Sequence, residues 1–293
     1  MKLFIIILVV LLLIYLLLKL SIKIEQKMLF QPTKLHNKYH HKIKQYELLL
    51  QEINENIKIY ELTIYINKKK DKYINALYYF NPNTPYHIIY AHGNGGNISN
   101  CINVPLTFIN IASVLVFDYR GYGKSSYNTN ICENDLYKDI LTVWKYSIHQ
   151  LNINAHNIIL YGHSLGSSVV AWLGSYLSNT VYKPKLIIMQ AGFSSLKNIV
   201  SDIVSKYITI FLNNSFDSEK YVKIIGDKIK IYVAHSYKDE LIKIHHKDTL
   251  LNANNYIIFS EIDGTHNYVI LDNLYNIIKT ELNEKAISYT NIK

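Results

Sequence analysis

Short apolar segments alternate with amphipathic ones from about residue 57 to the end of the chain. The apolar segments are rich in Ile, Val and Tyr, which is typical of strands buried in a sheet. They predict strands at 57–66, 73–80, 86–91, 113–118, 157–161, 185–190, 229–235 and 255–262. The segments between the later strands predict helices at 131–149, 165–178, 245–252 and 267–283. This alternation predicts an α/β fold in which helices cover both faces of a mostly parallel, eight-stranded sheet.

The N-terminal segment differs from the rest because residues 4–18 form an unbroken apolar run. The Lys19 side chain can extend towards the aqueous interface, so the apolar stretch reaches about Ile22, close to the ~20 residues that a bilayer requires. A small-residue cleavage site does not follow, since lysines 19 and 23 flank the next three residues. We therefore expect residues 1–23 to be one uncleaved transmembrane helix, with a cleaved signal peptide as the alternative.

Much of the formal net charge of +9 lies beside this segment. Residues 19–44 contain seven lysines and one acid, Glu25, which gives a net charge of +6 there (7 − 1). Lysines next to an apolar segment favour attraction to anionic lipid headgroups over a nucleic-acid groove. We therefore expect a basic linker at 24–50, membrane lipids but no nucleic acid as partners, and a main domain at 51–293 that lies on the cytosolic side.

The pentapeptide Gly162-His163-Ser164-Leu165-Gly166 directly follows one predicted strand and directly precedes a predicted helix. A serine nucleophile on a tight strand-to-helix turn requires glycines around it, because a larger side chain would collide with the backbone. The N-terminus of the helix also points at the negative charge that develops during acyl transfer. The pattern alone occurs by chance, but its position makes Ser164 the candidate nucleophile.

A serine hydroxyl requires an imidazole to take its proton, and the imidazole requires a carboxylate to hold its tautomer. Asp239 and His266 each follow a late predicted strand, 75 and then 27 residues after the preceding member of the set. Both therefore lie at the carboxyl edge of the sheet, where active sites of such folds are found. Glu240 is expected to point elsewhere, and Asp263 is too close to His266 in sequence to reach it comfortably.

The loop Ala91-His92-Gly93-Asn94-Gly95-Gly96-Asn97 follows the third predicted strand. A glycine-rich turn at this place can present backbone donors to an oxyanion, and we expect the N–H groups of Asn94 and Leu165 to form that pair. A phosphate-binding loop is the alternative, but a lysine at the required spacing is missing. His92 is expected to orient the loop.

Two further segments are expected to be structural. Residues 118–125 indicate a turn with an Asp–Arg tie, since the stretch contains Asp118 and Arg120. Residues 196–228 are longer than a plain crossover and predict a small helical cap over the site. Two cysteines, Cys101 and Cys132, are too few for a disulfide framework, and we expect neither a metal ion nor a cofactor at the site.

These motifs together resemble those of the Bem-type α/β-hydrolase-domain proteins. The resemblance begins at about Glu25 and rests on the loop from His92, the 118–125 turn, the serine pentapeptide, Phe193-Ser194-Ser195-Leu196, Asp239-Glu240-Leu241-Ile242 and Gly264-Thr265-His266-Asn267. It implies the α/β-hydrolase fold and an esterase or thioesterase that acts on acylated substrates, since relatives are single-pass membrane proteins or lipid-anchored protein depalmitoylases. The chain departs from the family at Ser236, Lys243 and Thr265, and it lacks the cysteine-rich tail of the depalmitoylases.

The sequence therefore predicts a membrane-anchored serine hydrolase with Ser164, His266 and Asp239 as its triad. Its expected substrates are esters or thioesters of acylated small molecules or acylated proteins. Two alternatives remain open, a catalytically idle scaffold with the same fold and a serine peptidase with the same triad. The oligomeric state stays open as well.

Overall fold

The computed structural model describes residues 19–34, 39–127 and 130–288. Eight strands form one sheet, and their bounds are β1 Lys58–Tyr65, β2 Tyr73–Phe80, β3 His87–Ala91, β4 Ser113–Phe117, β5 Ile158–His163, β6 Leu186–Gln190, β7 Lys230–His235 and β8 Ile257–Glu261. Their order across the sheet is β1-β2-β4-β3-β5-β6-β7-β8. The first two strands are antiparallel to their neighbours and the other six are parallel to one another. The prediction of a mostly parallel eight-stranded sheet is confirmed, with every strand end within two residues of its predicted place.

Eight helices accompany the sheet in the described ranges, namely α1 Tyr39–Ile53, α2 Asn103–Phe108, α3 Glu133–His149, α4 Leu165–Leu177, α5 Leu196–Ile203, α6 Ser218–Ile225, α7 His245–Ala253 and α8 Asp272–Ser288. A further helical stretch covers residues 19–29. The last helix begins five residues later than predicted, because Val269–Ile270 first pairs with Asp263–Gly264 in a short hairpin. The described helices therefore match four predicted ones and add several that the pattern did not indicate.

The two faces of the sheet carry separate hydrophobic clusters. Side chains of a strand alternate between the faces, so Ile158 and Leu160 of β5 enter one cluster while Ile159 and Tyr161 enter the other. Helices α3, α4, α6 and α7 cover the first face, and α1, α2 and α8 cover the second. Burial on both faces explains why the central strands read as continuous apolar runs in the sequence.

The described parts of the segment predicted as a linker, residues 24–34 and 39–50, pack on the domain instead. Leu50 of α1 is fully buried. Gln31–Pro32 pairs in parallel with Gly95–Gly96, and the Glu25 carboxylate accepts hydrogen bonds from the backbone N–H groups of Asn213 and Asn214, both at 2.8 Å. The linker prediction was wrong for these residues. Their composition is mostly polar, and the few apolar and carboxylate contacts that attach them to the domain could not be recognised from it.

The predicted cap at 196–228 is smaller than expected. Most large exposed apolar side chains of this segment lie between the end of α5 and the end of the following 3₁₀ turn, Ile208–Phe211, and α6 exposes Ile224. Val222 and Ile225 of α6 are fully buried in the first hydrophobic cluster, so this helix belongs to the layer that covers the sheet. The protruding part of the segment therefore ends before α6.

Residues 1–18, which hold most of the predicted membrane helix, lie outside the described residues. Across 19–34, 39–127 and 130–288, every helix is too short or too polar to cross a bilayer. The membrane anchor therefore stays a prediction from the sequence.

A buried ion pair holds the 118–125 turn against α3. The Arg120 guanidinium donates to Asp139 through Nε at 2.8 Å and to Asp135 through Nη1 at 3.0 Å. Arg120 is therefore paired with carboxylates of α3. The Asp118 carboxylate accepts a hydrogen bond from the Ile98 N–H at 2.8 Å. Burial raises the pKa of Asp139 to about 6, although its hydrogen bonds with Arg120 act in the opposite direction.

Replacing Asp139 by alanine should therefore destabilise the fold strongly, because it leaves the Arg120 charge buried without its main partner. We expect Asp139→Ala to lower the free energy of unfolding by about 3–5 kcal/mol, measured by urea denaturation. Asp263→Ala is the matched control, since Asp263 pairs with Lys238 in an exposed ion pair, and its midpoint should stay at the wild-type value. Equal midpoints for Asp139→Ala and wild type would contradict this assignment.

Candidate active site

Ser164 lies on a sharp turn between β5 and α4, with φ 53° and ψ −117°. Such a conformation is strained for an L-residue, and surrounding contacts must hold it. A Cβ on Gly162 would lie 2.1 Å from the Gly166 carbonyl oxygen, and one on Gly166 would lie 2.0 Å from the Ala91 carbonyl oxygen. The two glycines therefore allow β3, β5 and α4 to approach closely enough to form the turn.

Asp239 lies in the loop after β7, where backbone donors hold its carboxylate. Oδ1 accepts from the N–H groups of Leu241 at 2.9 Å and Ile242 at 2.8 Å. Burial opposes ionisation, but hydrogen bonds from His266 and from these two N–H groups outweigh it and lower the pKa of Asp239 below its ordinary value. The side chain is 2% exposed, so the site holds a buried negative charge.

His266 joins the carboxylate to the serine hydroxyl. Its Nδ1 lies 2.9 Å from Asp239 Oδ2, and its Nε2 lies 3.1 Å from Ser164 Oγ. With Asp239 ionised, Nδ1 carries the proton and donates to it, which leaves the Nε2 lone pair facing the hydroxyl. The structure thus brings together the three side chains that the sequence predicts to converge.

The backbone of His266 is held by two residues whose contribution the sequence did not indicate. Its N–H donates to Glu240 Oε2 at 3.0 Å, and its carbonyl accepts from His163 Nε2 at 3.0 Å. Burial, and then the neighbouring His266, lower the pKa of His163 to about 4, so this imidazole is neutral at pH 7. The expectation that Glu240 points elsewhere was therefore wrong. Its position next to Asp239 in the sequence was an indication that it could reach the site.

A third histidine, His235, lies beside the carboxylate. Its Nε2 donates to the Ile242 carbonyl at 2.9 Å and lies 3.5 Å from Asp239 Oδ2. Burial lowers the pKa of His235, so a neutral ring braces the loop that carries Asp239. Asp263, the competing acid, instead pairs with Lys238 Nζ at 2.7 Å on the surface.

The glycine-rich loop after β3 packs against the serine. A Cβ on Gly93 would lie 3.5 Å from Ser164 Cβ. His92 Nδ1 donates to the Gly93 carbonyl at 2.7 Å, and this carbonyl shares a peptide unit with the Asn94 N–H. In a trans peptide the two groups point in opposite directions, so His92 orients the loop and fixes the direction of the Asn94 N–H.

The N-terminal segment supports the same loop from outside. The Asn94 carbonyl accepts from the Gln31 N–H at 3.0 Å and from the Tyr122 hydroxyl at 2.7 Å. The Leu165 N–H is one of the unpaired donors that begin a helix. Leu165 directly follows Ser164, and Asn94 directly follows Gly93, which packs against the serine. Their role as oxyanion donors stays a prediction.

This arrangement can perform nucleophilic acyl transfer. The imidazole can take the serine proton as the oxygen attacks a carbonyl, and the buried carboxylate stabilises the imidazolium that results. The helix N-terminus and the loop supply positive ends of backbone dipoles beside the hydroxyl. The serine, the imidazole and the carboxylate that such chemistry requires therefore meet at one edge of the sheet.

Comparisons with known proteins agree with this geometry. Residues 86–185 match the family model described as the alpha/beta hydrolase fold. The uncharacterized protein R595 of Acanthamoeba polyphaga mimivirus is 31% identical over 265 residues, which cover 84% of this chain and 87% of the relative. Protein bem46 of Schizosaccharomyces pombe is 24% identical over 53% of this chain and 52% of its own length. The protein belongs to the Bem-type α/β-hydrolase-domain family.

Solved structures show the same fold at lower identity. An alpha-beta hydrolase from Vibrio vulnificus superposes with a TM-score of 0.63 at 17% identity, over 88% of this chain and 96% of that one. The thioesterase domain from the curacin biosynthetic pathway gives a TM-score of 0.58 at 12% identity, over 76% of this chain and all of that domain. The expected fold of this family member is thus confirmed across most of its length.

The hold of Glu240 on His266 can be tested separately from the triad. Glu240→Ala removes the acceptor of the His266 N–H, so the imidazole loses orientation and kcat for a short chromogenic ester should fall roughly 10-fold with KM unchanged. Glu240→Gln should restore most of kcat, because its amide oxygen can still accept the bond. Glu55→Ala, at another exposed glutamate, is the control. A Glu240→Ala enzyme with wild-type kcat would contradict the positioning role.

Proposed function

We propose that the protein is a membrane-anchored serine hydrolase that cleaves ester or thioester bonds of acylated substrates. The observation that carries this proposal is the chain of hydrogen bonds from Asp239 through His266 to Ser164, at 2.9 and 3.1 Å. Family membership adds support, since the fold is one that hosts such triads. The chain spans about half the length of bem46.

The reaction proceeds in two acyl-transfer steps. Ser164 Oγ attacks the substrate carbonyl while His266 Nε2 takes its proton, and the imidazolium then donates that proton to the leaving alcohol or thiol. Asp239 stabilises the imidazolium without being protonated. Water attacks the acyl-enzyme while His266 Nε2 takes its proton, and the imidazolium returns this proton to Ser164 Oγ as the bond to the serine breaks and the carboxylic acid leaves. The N–H groups of Asn94 and Leu165 stabilise the oxyanion in both steps.

An exposed apolar surface at the same edge of the sheet as Ser164 supports the proposal that the protein acts on acylated substrates at a bilayer. The exposed apolar residues from the end of α5 to the end of the following 3₁₀ turn, here called the cap face, are 44–78% exposed and consist of Ile203, Val204, Tyr207, Ile208, Ile210 and Phe211. Apolar residues in such a cluster mark a membrane or partner surface in soluble domains. The cap face follows β6, and therefore leaves the sheet at the same edge as Ser164.

The N-terminal helix lies next to the cap face. Its Glu25 accepts hydrogen bonds from Asn213 and Asn214, which lie two and three residues after the end of the 3₁₀ turn. The same helix exposes Leu20, Ile24 and Met28 and carries lysines 19, 23 and 27. A basic, apolar helix that continues an apolar run at 4–18 supports attachment to an anionic, cytosolic leaflet.

The two alternative functions receive less support. An idle scaffold has no need of a strained serine, a buried carboxylate and an aligned imidazole, each of which carries a free-energy cost. A peptidase requires a large domain that gates access to the site, whereas the protruding segment here ends before α6. Turnover of esters without cleavage of the matching amides separates the peptidase from the proposed hydrolase.

Covalent labelling tests the nucleophile directly. A fluorophosphonate probe should label the wild-type protein and leave Ser164→Ala unlabelled, with ester turnover reduced by about 10⁶-fold, because the members of a triad act as one unit. Ser201→Ala is the control, since Ser201 is an exposed serine outside the site. Labelling of Ser164→Ala at the wild-type rate would exclude Ser164 as the nucleophile.

The cap face can be tested with two substrates. Ile210→Asp places a charge on the most exposed cap residue, so KM for a long-chain ester in anionic vesicles should rise roughly tenfold, which corresponds to the loss of one buried aliphatic side chain. Turnover of a soluble short-chain ester should stay unchanged. Val181→Asp is the matched control, because Val181 is equally exposed, at 78%, but lies after α4. An equal rise in KM for both variants would argue against the cap face.

A further inference from the structure

The proposed catalytic histidine lies at the tip of a short hairpin. Asp263–Gly264 pairs with Val269–Ile270 in the antiparallel direction, and the Thr265 N–H donates to the Tyr268 carbonyl at 3.0 Å across the turn between them. His266 lies within this turn and outside the helices and the main sheet. Its position therefore depends on the contacts that hold the hairpin to the rest of the domain.

A buried hydroxyl joins this hairpin to the loop after β7. Ser236 Oγ donates to the Gly264 carbonyl at 2.5 Å and accepts from the Lys238 N–H at 3.0 Å. Ser236 is only 4% exposed, and hydrogen bonds shielded from water are electrostatically stronger than exposed ones. The hydroxyl therefore connects the beginning of the Asp239 loop to the residue two positions before His266.

Gly264 is a residue whose backbone requires such an external contact. Its φ is 118°, and a Cβ there would lie 2.1 Å from the Tyr268 carbonyl oxygen, so the hairpin needs glycine at this place. Glycine also has access to many other backbone conformations. The hydrogen bond from Ser236 fixes the direction of the Gly264 carbonyl, and thereby the peptide unit that leads into the turn.

The loop after β7 also contacts the hairpin through an exposed ion pair and through the histidine itself. Lys238 Nζ lies 2.7 Å from Asp263 Oδ1, but the two side chains are 70% and 59% exposed, and ion pairs of this kind contribute little to stability. Glu240 and the triad carboxylate bind the histidine at the tip. Ser236 therefore supplies a buried contact at the base of the hairpin, where the exposed ion pair gives little support.

We propose that Ser236 is a positioning residue for the catalytic histidine, an inference that rests on the function proposed for Ser164. It acts through Gly264 to keep His266 Nε2 at 3.1 Å from Ser164 Oγ. A misplacement of about 1 Å can cost on the order of 10²-fold in rate. A looser hairpin therefore reduces the rate of proton transfer and leaves substrate binding unchanged.

Two replacements of Ser236 in the full-length protein test this role. With a short chromogenic ester, Ser236→Ala should lower kcat roughly 10-fold with KM unchanged, because the base of the hairpin loses its contact. Ser236→Thr keeps the hydroxyl and should restore most of kcat. In proton NMR spectra, the far-downfield resonance of the proton between His266 Nδ1 and Asp239 should broaden in Ser236→Ala and stay sharp in Ser236→Thr.

Ser113→Ala is the matched control. Ser113 is also fully buried, and its hydroxyl donates to the carbonyl and accepts from the N–H of Asn81. It is the first residue of β4 and therefore lies at the edge of the sheet opposite to Ser164. Its replacement removes the same kind of hydrogen bonds and should leave kcat of the folded enzyme at the wild-type value.

Three outcomes would overturn the positioning role: wild-type kcat in Ser236→Ala, an equal loss of kcat in Ser113→Ala, or a Ser236→Thr enzyme no more active than Ser236→Ala. Ser164→Ala, measured in parallel, separates the two proposals. Turnover that persists in Ser164→Ala contradicts the proposed function. Turnover that disappears there but stays at the wild-type value in Ser236→Ala contradicts only the role of Ser236.

Discussion

Ser164 has a backbone conformation that costs roughly 1–3 kcal/mol for a residue with a side chain, so packing around it must hold it there. That packing requires Gly162 and Gly166, since a Cβ at either place would lie about 2 Å from a backbone carbonyl oxygen. The Ser164 N–H also donates to the Gln190 carbonyl on β6, at 2.9 Å. The hydroxyl is therefore presented by three adjacent parallel strands, and the other parts of the site are arranged around it.

The imidazole beside it is held from several directions. Asp239 holds the ring, Glu240 holds the backbone N–H, and a neutral His163 holds the carbonyl. A residue that is held through its ring, its N–H and its carbonyl keeps its tautomer and orientation and loses little freedom during reaction. The two short loops after β7 and β8 therefore hold Asp239 and His266 in fixed positions.

The N-terminal segment contributes to the same arrangement. Gln31 binds the carbonyl of Asn94, and Glu25 binds the residues that follow the cap face. A segment with the composition of a polar linker thus supports both the glycine-rich loop and the cap. This places the beginning of the described chain, with its lysines and exposed apolar residues, close to the elements that surround the site.

Local sequence determined the strands, the main helices and the three side chains of the site, because apolar periodicity and the glycines around Ser164 act over a few residues. It did not determine the packing of residues 24–34 and 39–50, the small size of the cap or the partner of Arg120. Nor did it determine that Glu240 and His163 hold His266. Such contacts join residues far apart in the chain through one or two polar atoms each. Only the tertiary structure decides them, because the order and spacing of the strands set which loops meet.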